Sequence, residues 1–115
     1  MRVIIAGSRD FNDYNSLERK MNVILKNQDD VTIISGTARG ADKLGERYAE
    51  ENHHKLEKYP AMWDLYGKSA GYKRNEEMAN TSDAAVVFWD GKSKGTKHMI
   101  DISKKFKLKL RIIKF

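Results

Sequence analysis

Short apolar runs alternate with amphipathic segments along the whole chain. Arg2 to Ala6 is an apolar run that stops at Gly7, as a buried strand does. From Tyr14 to Lys26, Leu17, Met21, Ile24 and Leu25 recur at spacings of three and four, which puts them on one helical face. Val31 to Ser35 reads as a second strand, and Ala41 to Asn52 as a second helix with Leu44, Tyr48 and Ala49 inward. His54 to Tyr59 is a weaker third strand, closed by the only proline, Pro60. Ala61 to Gly67 is an aromatic-rich connection, and Lys68 to Asn80 reads as mostly helical. Ala84 to Trp89 is wholly apolar, which predicts a central strand covered on both faces. Asp90 to Gly95 reads as a turn, Thr96 to Phe106 as a helix, and Leu108 to Ile113 as a last strand.

Strands and helices in alternation predict an α/β domain, with helices on both faces of a mostly parallel five-stranded sheet. Right-handed crossovers make it a Rossmann-like three-layer sandwich. A strand order of 3-2-1-4-5 is expected, which brings the turns after the first, second and fourth strands into one crevice. With 115 residues and no repeat, linker or low-complexity tract, residues 1–115 read as a single domain.

Composition narrows the class. The chain has no cysteine, so disulfides and thiolate metal sites are excluded and a reducing cytoplasm is the expected home. No run approaches the ~20 apolar residues of a membrane span, and the apolar start is too short for a signal peptide. His53 and His54 are neighbours that point apart on a strand, and His98 is solitary, so no metal site is expected. The net charge is +6, from 22 basic and 16 acidic residues, a balance that favours an anionic ligand or nucleic acid. Much of the excess lies at Lys104, Lys105, Lys107, Lys109, Arg111 and Lys114, alternating with Leu108, Leu110 and Ile112. That alternation reads first as an edge strand guarded by lysine.

The turns carry the candidate chemistry. Ile34-Ser35-Gly36-Thr37-Ala38-Arg39-Gly40-Ala41-Asp42 joins an apolar strand to a helix through small residues. Such a turn sets bare backbone N–H groups at a positive helix end, where phosphate binds. Gly36 and Gly40 give clearance, Thr37 lies beside them, and Arg39 can close over an anion. Asp42 reads as a cap on the helix, with a ribose contact as the rival role. In the first turn, Gly7 permits close approach, Ser8 can donate to phosphate, and Arg9 can fork onto it. Arg74 and Asn75 stand where a polar connection becomes a helix, while Met78 belongs to the core. In the fourth turn Ser93, Gly95 and Thr96 offer N–H groups and hydroxyls. Trp63 and Tyr66 are candidates for stacking on a base, or for covering the core. Neither the G-x-G-x-x-G dinucleotide fingerprint nor the P-loop order is present, which disfavours an NAD dehydrogenase and P-loop ATP hydrolysis.

Together, Gly7-Ser8-Arg9, Ser35 through Asp42, Trp63, Ala70-Gly71 with Arg74 through Met78, and Ser93-Lys94-Gly95-Thr96 resemble the YspA-like family of the SLOG superfamily. The resemblance runs along nearly the whole chain, with the motifs in the same order. It implies a Rossmann-like fold and a nucleotide or ADP-ribose-like ligand. Gly7, Ser8, Arg9, Gly36, Arg39, Gly40, Asp42, Arg74, Asn75, Gly95 and Thr96 would line the site. The superfamily includes the Lonely Guy phosphoribohydrolases, the DNA-processing protein DprA, and sensors of NAD-derived signals in antiphage defence. Its members often pair through helices, which implies a dimer.

One departure separates the readings. Lonely Guy enzymes follow their phosphate turn with a catalytic glutamate, and Met99 occupies that position here. A methionine neither exchanges a proton nor stabilises a developing cation. The expected function is therefore binding of a nucleotide-derived small molecule, as sensor, carrier or sequestering protein, with no required cofactor. The first alternative is an N-glycosidic hydrolase, in which Arg74 orients phosphate and Asp42 or Asp101 supplies the carboxylate. The second alternative is DprA-like binding of single-stranded DNA.

Overall fold

The computed structural model describes residues 1–115. Its elements are β1 (Arg2–Gly7), α1 (Tyr14–Ile24), β2 (Thr32–Ser35), α2 (Ala41–Glu51) and β3 (Lys55–Lys58). They continue with the single-turn α3 (Trp63–Tyr66), a 3₁₀ turn over Gly67–Ser69, α4 (Ala70–Asn80), β4 (Ala84–Trp89), α5 (Lys94–Lys105) and β5 (Lys109–Lys114). All five strands are parallel, in the order β3-β2-β1-β4-β5. This is the Rossmann-like α/β arrangement expected from the alternation of elements.

Because side chains alternate across a strand, β1 feeds two cores at once. Val3 and Ile5 join Leu17 and Met21 of α1 and Tyr48 and Ala49 of α2 on one face. Ile4 and Ala6 join Met78 and Ala79 of α4 and Met99 and Ile100 of α5 on the other. β4 divides in the same way, with Val86 and Phe88 on the first face and Ala85 and Val87 on the second. Each fully buried Val, Ile, Leu, Met or Phe among them contributes roughly 1.5–3 kcal/mol, and each alanine less. Phe11 stacks on Phe88, with ring centroids 4.8 Å apart, and anchors the turn after β1.

The outer strands are short or charged. On β5, Lys109, Arg111 and Lys114 are exposed while Leu110 and Ile113 pack against the two cores. Ile112, expected inward, is 40% exposed on this edge strand. No helix is long and apolar enough to cross a membrane.

The helix starts differ from expectation where side chains decide them. α5 begins at Lys94 rather than Thr96, so Gly95 lies inside its first turn rather than in the preceding loop. Ser93 is the cap: its hydroxyl accepts from the Thr96 N–H at 3.3 Å. α4 begins at Ala70, so Arg74 and Asn75 lie in its second turn, not at its start. The aromatic connection before it is partly helical, through α3.

Candidate functional site

In this strand order the direction of strand addition reverses at β1: β2 and β3 lie to one side, β4 and β5 to the other. Sheets of this kind open a crevice at that point, beyond the carboxyl ends of the strands. Here the crevice encloses about 550 Å³, within the roughly 300–1,000 Å³ of small-molecule sites.

Ser8 ties three turns together at its floor. The Ser8 N–H donates to the Phe88 carbonyl at 2.9 Å, and the Ser8 carbonyl accepts from Ala41 N–H at 3.4 Å. Its hydroxyl accepts from the Asp90 N–H at 3.2 Å. Ser8 is 1% exposed, so it acts as a rivet between the turns, where the sequence had pointed to a phosphate donor. Asp90, read from the sequence only as the start of a turn, holds that turn in place. Its carboxylate accepts from the Lys92 and Ser93 N–H groups, each at 2.8 Å. The Ser93 and Lys92 bonds, with help from the Ser8 hydroxyl, hold Asp90 below the usual carboxylate range.

The second turn is closed by its own carboxylate. Asp42 is 4% exposed, and its Oδ2 accepts from the Ala38 N–H at 3.1 Å. The expected cap on α2 is absent: the N-cap is Gly40, with no side-chain bond. Asp42 faces into the loop because that loop curls back over the helix end, bringing Ala38 within reach. Burial raises its pKa to about 6, while the Arg74 guanidinium and the Ala38 and Gly7 N–H groups pull the other way. The anion-holding N–H groups expected at this turn are thus partly taken by the protein itself.

Arg74 enters from α4. It donates through Nη1 to the Gly36 carbonyl and through Nε to Asn75 Oδ1 at 3.0 Å. Gly36 is needed here: a Cβ would fall 2.8 Å from both Arg74 Nη1 and Asp42 Oδ2. Burial lowers the Arg74 pKa from its usual value, and Asp42 opposes that shift.

Asn75 extends the chain of bonds toward α5. With its Oδ1 taken by Arg74, its amide nitrogen reaches His98 Nδ1 at 3.1 Å and the Gly95 carbonyl at 3.4 Å. His98 Nδ1 is therefore the acceptor, which makes the ring neutral with its proton on Nε2. Burial lowers its pKa in the same sense. His98 also stacks on Tyr72, centroids 4.2 Å apart, so it is not the solitary residue the sequence showed. At the start of α5, Thr96 Oγ1 donates to Ser93 Oγ at 2.9 Å. The Lys94 and Gly95 N–H groups have no intrahelical partner at this end of the helix.

The structure brings most of the candidate residues together. Gly7, Ser8, Arg9, Arg39, Asp42, Arg74, Asn75, Ser93, Gly95, Thr96 and Trp63 line the crevice. Gly36 and Thr37 line an adjoining cavity instead, and Gly40 packs beneath the first turn against Ser8 and Arg9. Tyr66 lies outside both, with Lys73 Nζ 4.9 Å from its ring centroid. Asp101 is also outside: it is exposed on α5, paired with Lys97 at 2.9 Å. Residues two apart on a helix do not share a face, and Met99 holds the crevice side. Asp101→Asn is accordingly expected to leave melting temperature and ligand affinity unchanged, in thermal denaturation and calorimetry. Asp10, Lys68 and Tyr72 also line the crevice; Asp10 and Tyr72 lie within the candidate turns, but none of the three stands out by residue type or spacing.

The family model described as YspA, cpYpsA-related SLOG family matches residues 1–66. This chain belongs to that family. Gene 61 protein of Mycobacterium phage D29 is 33% identical over 104 residues, covering 84% of this chain and 83% of that protein. Among solved structures, DNA processing protein A from Helicobacter pylori, described for its single-stranded DNA binding mode, superposes with a TM-score of 0.71 at 18% identity. That match covers 97% of this chain, which spans only 64% of the other. The C-terminal domain of a Pyrococcus furiosus hydrogenase matches with a TM-score of 0.51 at 14% identity, over 96% of this chain and 89% of that one. At such identities these two likenesses speak to the fold.

Proposed function

We propose that the crevice binds a nucleotide-derived small molecule. One observation carries this reading: three guanidinium groups, of Arg9, Arg39 and Arg74, converge with the start of α5 at the reversal point of the sheet. Guanidinium groups fork onto phosphate oxygens, and a helix start favours the same charge. Asp10 and Asp42, on the same lining, are acceptors suited to ribose hydroxyls. Membership of the SLOG family supports a ligand of this type.

Cleavage of the ligand has weaker support. Met99 lines the crevice and is 2% exposed, at the position where the hydrolases carry glutamate. Asp90 is committed to backbone N–H groups, which leaves Asp42 as the buried carboxyl with a pKa near the working range.

Titration calorimetry against AMP, ADP-ribose and NAD tests the reading. Folded protein that binds none of them would refute it. Arg74→Ala is expected to weaken binding about tenfold, the loss of one charged hydrogen-bond donor. An unchanged affinity would remove Arg74 from the site.

The second reading is single-stranded DNA, favoured by the fold shared with Helicobacter pylori DNA processing protein A and by the net charge of +6. It requires retention of single strands in a gel shift at low salt, lost steeply as salt rises.

A further inference from the structure

A second cavity of about 430 Å³ abuts the crevice and shares Arg9, Ala38, Arg39, Trp63 and Arg74 with it. Its chemistry differs. The crevice mixes cations with Asp10, Asp42 and Asp90, whereas none of the second cavity's lining residues is acidic. Its remaining wall is Gly36, Thr37, Pro60 and Ala61. Two backbone N–H groups of that lining are already committed, and Pro60 has none. The Thr37 N–H is taken by Ser35 Oγ at 3.0 Å, and the Ala38 N–H by Asp42.

The cations of that lining are side chains, Arg9, Arg39 and Arg74. Arg2, Arg47, Lys43, Lys55, Lys58 and Lys97 all hold carboxylates. Arg9 and Arg39 are exposed and make no side-chain hydrogen bond or ion pair, so their charge is unspent at the junction of the two cavities. Beside them stands Trp63, 52% exposed. A half-exposed indole next to unpaired guanidinium groups suits a flat ring attached to phosphate.

We propose that the second cavity receives a second nucleoside of the same ligand. The ligand is then a dinucleotide: one nucleoside in the crevice, the linking phosphate at Arg9, Arg39 and Arg74, and the second base on Trp63. This rests on the nucleotide reading of the crevice and adds a subsite to it. A 5′,5′-pyrophosphate-linked dinucleotide and a 3′,5′-linked one share this chemistry, and the test uses both.

The affinities of AMP, NAD and the dinucleotide d(pApA) are compared by calorimetry, for wild type and Trp63→Ala. The readout is the ratio of dinucleotide to AMP affinity. In the wild type at least one dinucleotide should bind about tenfold tighter than AMP, the order expected for one stacked base. In Trp63→Ala that ratio should collapse toward one, and Trp63→Phe should restore most of it. A preference for NAD marks a small-molecule ligand, and a preference for d(pApA) marks a strand end. Trp63 lies outside both buried cores, so the variant is expected to melt as the wild type does. A wild-type ratio near one, or a ratio that survives Trp63→Ala, overturns the subsite and leaves the crevice reading standing. Failure of all three ligands to bind, together with failure of ADP-ribose, overturns both.

Discussion

Gly40→Ala is expected to lower the free energy of unfolding by about 3 kcal/mol. Gly40 sits at φ 82°, ψ −131°, a region essentially closed to residues with a side chain, at a cost of order 1–3 kcal/mol. A Cβ there would also fall 2.6 Å from the Arg9 carbonyl oxygen and closer still to that of Ser8. Those are backbone atoms, so nothing can rotate away, and overpacking adds roughly 1–3 kcal/mol. Urea unfolding should show a lower midpoint with an unchanged slope. The same shift displaces Ser8, which holds three turns, so ligand affinity should fall with stability. A midpoint within error of the wild type would mean that the first and second turns have slack between them.

Asp42→Asn is expected to act in the opposite direction, stabilising the protein by about 2–3 kcal/mol at pH 8. The carboxyl has a pKa of about 6 in the fold, against an ordinary value of 3.8. Two units of difference correspond to about 3 kcal/mol. Well below pH 3.8 the group is neutral whether the chain is folded or not, and at pH 3.5 its cost is still small. As the pH rises, the unfolded chain ionises first, so stability falls until the folded carboxyl also ionises near pH 6. Above that the deficit is constant. Asparagine keeps an oxygen that can accept from the Ala38 N–H and carries no charge. Its advantage should therefore grow between pH 4 and 6 and nearly vanish at pH 3.5. Urea midpoints of both proteins at pH 3.5 and pH 8 decide it, and an equal gap at the two values would sink the idea. A buried carboxylate kept at such a cost is what a binding site retains.

The sheet order was legible because β1, β2 and β4 are apolar runs followed by small-residue turns, and the three-layer topology follows from their alternation with helices. Element boundaries were less so. The Ser93 hydroxyl moved the start of α5 forward by two residues, from Thr96 to Lys94, a choice that apolar periodicity does not encode. The converging arginines were readable as residue types. Their partners were not, since Asn75 meets His98 across 23 positions and Arg74 meets Gly36 across 38. Asp42 shows the limit most clearly. A carboxylate in a first helical turn reads as a cap, and only the path of the preceding loop turns it inward.

The position of β1 at the centre of the sheet also bears on how the chain reaches this state. Its partner on one side, β2, follows after a single helix. On the other side, the Arg2 N–H is met by the Asp83 carboxylate, 81 residues later. At 5–20 residues per second, synthesis leaves that edge of β1 unpaired for roughly four to sixteen seconds. An apolar edge in that state is a template for mispairing. The crevice floor, which needs Phe88 and Asp90 against Ser8, closes only when the gap is filled. Ligand binding should therefore appear in refolding as one of the last signals, trailing the helical one, and so report completion of the β1–β4 seam.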